Sequence, residues 1–316
     1  MMRIAGLPIM MLTLAAPAFA SAQVVRSAID RVQPTAAVRS EDFKLDSRLM
    51  ARPMPYRVML PPNYTTESRR RFPVIYLLHG FSGHFGDWSN YTQLAQYLHA
   101  YDFIVVMPEG GNGWYTDSAS QPHDRYGSYI IRELIPEVDA KFRTLADRNH
   151  RIIAGLSMGG YGALKFGLEY PQLFVLVGSF SGALGAPDWT PAALQSLGFE
   201  GEISKTLRGV YGSSDSDTRR ANDIFRITEK LAPGSIQSLP FIYQSCGTSD
   251  PLLEDNHHFM ELLDEKKIPH EYVESPGIHD WVFWNEQIRE FLKLSNEMVN
   301  GVPPDKPAEN KRAKTQ

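Results

Sequence analysis

A single hydroxyl ends an aliphatic run in Arg151-Ile152-Ile153-Ala154-Gly155-Leu156-Ser157-Met158-Gly159-Gly160. Small residues fence it on both sides. The pattern G-x-S-x-G, after a strand and before a helix, sets a serine on a sharp turn where flanking side chains would collide with neighbouring elements. The turn also aims the first amides of the helix at any negative charge that develops there. A hydroxyl is a poor nucleophile unless a base takes its proton, and the base needs an orienting acid. The chemistry implied is attack on a carbonyl carbon, with the acid and then a histidine following the serine along the chain.

Four histidines follow at sufficient distance: His257, His258, His270 and His279. The first two fall inside a predicted helix from Asn256 to Lys266, and His270 opens a predicted strand, HEYVE. His279, in SPGIHDW, is the one expected in a loop past a strand end, and is taken as the base. Asp250 leaves the preceding strand in FIYQSCGTSD and is taken as the acid. Its rival Asp255 reads as a helix cap, and Asp280 as part of the last helix's first turn. Two backbone donors are expected to stabilise the oxyanion: the amide of Met158 and, after FPVIYLLHG, the amide of Phe81. His79 reads as a structural turn residue. Trp114 and Tyr115, in NGWYTDS, are candidates to line the substrate pocket, whereas Trp284 reads as packing of the final helix. No HExxH or thiolate cluster calls for a metal, and GGNG at 110–113 lacks the form of a phosphate-binding loop. No cofactor is expected.

The elements that must position these residues alternate. Short, nearly continuous apolar runs at 72–78, 103–107, 151–156, 174–178 and 241–244 read as strands buried on both faces, as in a parallel sheet covered by helices. Helical periodicity separates them at 92–101, 126–142, 160–170, 256–266 and 281–294. Stretches at 42–49 and 56–60 read as antiparallel edge strands. The class is α/β, with a mostly parallel central sheet, helices on both faces and ligands at the strands' carboxyl ends. Residues 183–239 interrupt the rhythm as a lid-like insertion, with helical patches at 191–197 and 223–231. No internal repeat is present.

Composition bounds the rest. The chain has 316 residues, 43% hydrophobic and 22% charged, with a net charge of -4, which argues against a nucleic-acid partner. Residues 1–22, with Arg3, an apolar stretch and small residues around Ala20, follow the order of a signal peptide, too short to span a bilayer. An exported, periplasmic or secreted protein starting near Gln23 is expected, with no membrane span after cleavage. The domain is expected over 23–298, and the proline- and charge-rich end, 299–316, as a disordered tail. Cys246 is the single cysteine, so no intrachain disulfide forms.

LLHGFSG, GLSMGGYGAL, CGTSDPLLEDN and SPGIHDW together resemble the esterase D-like family of α/β-hydrolases. That family includes feruloyl and acetyl-xylan esterases, S-formylglutathione hydrolases, siderophore esterases and mycolyltransferases. The resemblance spans about Asp42 to Leu294. It implies the α/β-hydrolase fold, Ser157, Asp250 and His279 as the triad, and the Phe81 and Met158 amides as the oxyanion hole. It leaves the substrate open. A serine carboxylesterase acting on small-molecule or polysaccharide-linked esters leads. An acyltransferase or siderophore esterase is the alternative, and a catalytically silent carbohydrate-binding module the non-enzymatic one.

Overall fold

Val74-Ile75-Tyr76-Leu77-Leu78 shows why the strands read as unbroken apolar runs. Alternate side chains of a strand point to opposite faces, and here both faces are covered. Val74, Tyr76 and Leu78 join one hydrophobic core and Ile75 and Leu77 the other. The computed structural model of the protein describes residues 38–199 and 201–301. The expected signal peptide and residues 302–316 of the expected tail lie outside the described residues.

Eight strands form one sheet: β1 (Arg39–Ser47), β2 (Arg52–Leu60), β3 (Val74–Leu78), β4 (Ile104–Pro108), β5 (Arg151–Leu156), β6 (Leu176–Phe180), β7 (Phe241–Gly247) and β8 (His270–Ser275), in the order β1-β2-β4-β3-β5-β6-β7-β8. β1 pairs antiparallel with β2, and β2 with β4; β3 to β8 are all parallel. Between β3 and β4 lie α1 (Asp87–Tyr91) and α2 (Leu94–Tyr97). The helix expected over 92–101 starts late, at Leu94, because Thr92 turns extended and the next amide, Gln93, donates to Asn285 Oδ1 at 2.7 Å; it passes into a 3-10 turn at Leu98–Ala100. Between β4 and β5, α3 (Tyr126–Tyr129) and α4 (Ile135–Lys141) are joined by a π-helical turn, Ile130–Leu134. Pro136 follows that turn. It has no N–H to give the carbonyl four residues back, which disfavours a regular α-helix across this junction.

α5 (Met158–Glu169) follows β5. The insertion after β6 carries α6 (Pro191–Ser196), α7 (Glu202–Tyr211), α8 (Asp217–Asn222) and α9 (Ile224–Glu229). α10 (Leu253–Glu265) links β7 to β8, and α11 (Trp281–Val299) closes the fold, one residue past the expected domain end. Tyr161 and Phe166 of α5 pack on one face of the sheet; Ile288 and Phe291 of α11 pack on the other. β6 runs two residues later than the apolar run that marks it. Its end, Ser179-Phe180, is polar in part yet fully buried.

Candidate active site

The turn at Ser157 is built by close approach. Ser157 has φ +52° and ψ -118°, a conformation costly for a residue with a Cβ and held only by its surroundings. Its amide donates to Phe180 O at 2.9 Å, and its carbonyl accepts from Tyr161 N at 3.1 Å and Ala183 N at 3.0 Å. A Cβ on Gly155 would overlap the backbone of Gly159, and one on Gly159 would overlap the carbonyl of Leu78. The glycines therefore let β3, β5 and α5 meet at the serine.

β7 and β8 deliver the other two residues. Ser249 N donates to Gly277 O at 3.0 Å, and Thr248 N to Ser275 O at 3.0 Å, stitching the two strand-end loops together. Asp250 has a fully buried side chain; its Oδ1 accepts from Leu252 N at 2.9 Å. His279 Nδ1 lies 2.9 Å from Asp250 Oδ2 and 3.1 Å from Oδ1. A carboxylate only accepts, so Nδ1 carries a proton, and in the neutral ring the lone pair therefore sits on Nε2. Trp284 stands edge-on to the imidazole, centroids 4.9 Å apart. The Ser157 hydroxyl and the His279 ring are not hydrogen-bonded to each other. Such links in unliganded hydrolases are often long and tighten with substrate.

The rivals are engaged elsewhere. Asp255 accepts from Trp189 Nε1 at 2.8 Å and Gly185 N at 3.2 Å, and Asp280 Oδ1 caps α11 through Phe283 N at 3.0 Å. His257 pairs with Glu274, His258 with Glu254, and His270 Nδ1 bonds Ile268 O.

The loop after β3 lies on the serine: a Cβ on Gly80 would be 3.4 Å from Ser157 Cβ. Met158 is the first residue of α5, so its amide has no intrahelical acceptor. His79, almost fully buried, fixes the loop rather than reacting. Its Nε2 lies 2.8 Å from Gly110 N and 3.3 Å from Glu109 Oε1, and Nδ1–H donates to Gly80 O at 2.7 Å. Glu109, beside this ring, accepts from Gly111 N at 2.8 Å and Phe85 N at 3.3 Å. Burial alone would raise its pKa, but the His79 ring and the two amides outweigh that and hold it at about 2.

Trp114 and Tyr115 are placed differently from expectation. They are 1% and 0% exposed, so neither offers surface to a substrate. Both have positive φ, at +52° and +49°, which turns their rings inward from the loop. Tyr115 OH donates to His79 O at 2.9 Å, and Trp114 packs behind Phe81. They brace the wall of the site instead of lining it. Sequence reasoning also missed Glu109, Lys165, Trp189 and Phe199. Of these, Phe199 carried a local signal: Gly198 beside it, just past a helical patch.

Among the described residues, no group of three or more His, Cys, Asp or Glu side chains is placed to hold a metal ion, and no helix is long and apolar enough to cross a membrane.

Residues 47–294 match the family model described as "Putative esterase". An acetyl esterase of Caldicellulosiruptor saccharolyticus is 32% identical over 221 residues, 68% of this chain and 80% of that protein. An esterase of Mycobacterium tuberculosis is 30% identical over 243 residues, 70% of this chain, which spans about half (51%) of that protein. Among solved structures, a ferulic acid esterase superposes with a TM-score of 0.72 at 22% identity, covering 83% of this chain and 98% of that one. Sheet order, the glycine-fenced turn and these relatives agree: the chain belongs to this esterase family and has the α/β-hydrolase fold of enzymes that cleave carboxylic esters with a serine.

Proposed function

We propose that the protein is an exported serine carboxylesterase with Ser157 as nucleophile, His279 as base and Asp250 as its orienting acid. The contact that carries this reading is His279 Nδ1 to Asp250 Oδ2 at 2.9 Å. It leaves a basic Nε2 on the ring that borders the strand-end rim where Ser157 sits. Nε2 takes the Ser157 proton as Oγ attacks the ester carbonyl, and the new oxyanion is met by the amides of Phe81 and Met158. The carbonyl re-forms as the C–O bond to the alcohol breaks, and the imidazolium protonates the departing oxygen. Water, deprotonated by Nε2, attacks the acyl-enzyme. Collapse then releases the carboxylic acid and returns the proton to Ser157.

The acetyl esterase relative favours a small acyl group, and the leader-like sequence at 1–22 favours substrates outside the cytoplasm, such as acetyl or feruloyl esters carried on polysaccharide. Ser157→Ala is expected to lower kcat on 4-nitrophenyl acetate by at least about a thousandfold. Turnover near the parent level would refute the assignment. Sequencing the N-terminus of protein recovered from the periplasm or medium tests export. A chain still beginning at Met1 and retained in the cytoplasm would refute it.

A further inference from the structure

The segment between β6 and β7 is fastened to the rest of the molecule near its start and in its interior. Near its start, Asp255 of α10 takes up Gly185 N and Trp189 Nε1. Further on, Asn222 is held by α5. Tyr161 OH donates to its carbonyl at 2.7 Å, and Lys165 Nζ donates to its Oδ1 at 2.8 Å. The same ammonium donates to Tyr115 O and Thr116 Oγ1, each at 2.8 Å, so all three of its hydrogens are used. Buried, satisfied polar contacts of this kind specify a position.

What they position is a ring. α6 ends in a Schellman turn: Gly198 has φ +68°, its amide donates to Gln195 O at 3.1 Å, and Phe199 N donates to Leu194 O at 2.8 Å. The turn returns Phe199 onto Trp189, with centroids 5.7 Å apart, and onto His279, at 6.4 Å. Trp189 meets Trp114, which meets Phe81, so an arc of aromatic rings runs from the oxyanion loop to the imidazole. Of the two rings against His279, Trp284 is buried in the core, whereas Phe199 stays partly open. The imidazole must hand its proton to the alcohol oxygen of the ester, so an open ring resting against it borders the alcohol arm and not the acyl arm.

We propose that Phe199 determines specificity for the alcohol part of the ester. It selects alcohols that present the apolar face of a ring, whether an aryl group or the C–H face of a pyranose. The inference rests on the esterase reading above and gives the insertion its role.

Three acetates share an acyl group and differ only in the alcohol: ethyl acetate, 4-nitrophenyl acetate and an acetylated xylo-oligosaccharide. In Phe199→Ala, kcat/KM for a ring-bearing acetate relative to ethyl acetate is expected to fall about tenfold, mainly through KM. Phe199→Leu, which keeps bulk but not the flat face, should recover only a small part. Loss confined to the aryl or to the sugar ester supports the proposal and identifies the ring. Equal loss on all three would overturn it, since Phe199 would then merely steady His279; so would no loss on any. Labelling of Ser157 by a fluorophosphonate separates the two readings. An unlabelled parent enzyme sinks the esterase reading itself, whereas a labelled parent and variant with unchanged selectivity sink only the role of Phe199.

Discussion

In the proposed mechanism Asp250 acts through one proton position. Its carboxylate accepts from Nδ1 of His279 and from the amide of Leu252, and it has no exposed surface through which water could replace either bond. Asp250→Asn keeps the shape but can present an amide N–H to the ring. That would place the imidazole proton on Nε2 and remove the base. We expect kcat to fall by about 10³–10⁴ with little change in thermal midpoint; a loss below tenfold, by steady-state kinetics, would show that Asp250 does not set the tautomer. The strand-end positions of Ser157, Asp250 and His279 were legible because each follows an apolar run and chain order left few rivals. Gly198 marked the turn before Phe199, but the contact of Phe199 with His279 was not legible, since it depends on how a tethered segment lies against another loop. Trp114 and Tyr115 were misread for a related reason. A loop sequence rich in glycine looks exposed, but the positive φ values that turn both rings into the core leave no mark on composition.

α5 does more than present its first amide. Lys165, eight residues after the serine, is fully enclosed and joins the helix to the 115–116 loop and to Asn222 of the insertion. Burial lowers its pKa, against the milder pull of Glu169 and Asp117. Lys165→Met fills similar space but takes the donor from two buried acceptors, Tyr115 O and Thr116 Oγ1, and from the part-buried Asn222 Oδ1; a buried acceptor left unmet costs about 1–3 kcal/mol. We expect a destabilisation of about 3 kcal/mol or more by urea unfolding at pH 7. A loss under about 1 kcal/mol would mean water replaces the ammonium. At this scale the parallel strands were legible, since burial on both faces erases alternation and leaves unbroken aliphatic runs. α7 was overlooked although Ile203, Leu207, Val210 and Tyr211 recur at helical spacing between Gly201 and Gly212. Its polar face is long, and it rests on other helices and not on the sheet, so the pattern stands out weakly. The late start of the helix over 92–101 was not legible, because the Gln93 amide is held by Asn285 on a helix nearly two hundred residues away.

Across the whole molecule, carboxylates knit separate elements, and their combined titration sets its behaviour in acid. Arg57 on β2 holds Asp42 of β1 below its ordinary pKa, mainly by hydrogen bonding. Asp117 is raised by burial but lowered further by the Ser128 hydroxyl and amide and by Arg125. Glu109, at about 2, ties the loop after β3 to the loop after β4. Each has a folded pKa below its unfolded value, so the unfolded chain takes up protons first as pH drops. Their stabilisation is complete above the unfolded values, near 4, and is lost as pH falls through the folded ones. Asp223 and Glu169, raised by burial, work in the opposite sense and favour the fold when protonated. For Glu109 the window runs from about 4.3, its unfolded value, down to about 2. Glu109→Gln retains an acceptor for the Gly111 amide but cannot titrate. The variant should be less stable than the parent at pH 7, and the gap should narrow as pH falls from about 4.3 towards 2. Urea unfolding at half-unit steps reads this directly. A gap that stays constant down to pH 2 would mean that Glu109 is not held low in the folded protein, and that the loop carrying the Phe81 amide is fixed by His79 alone.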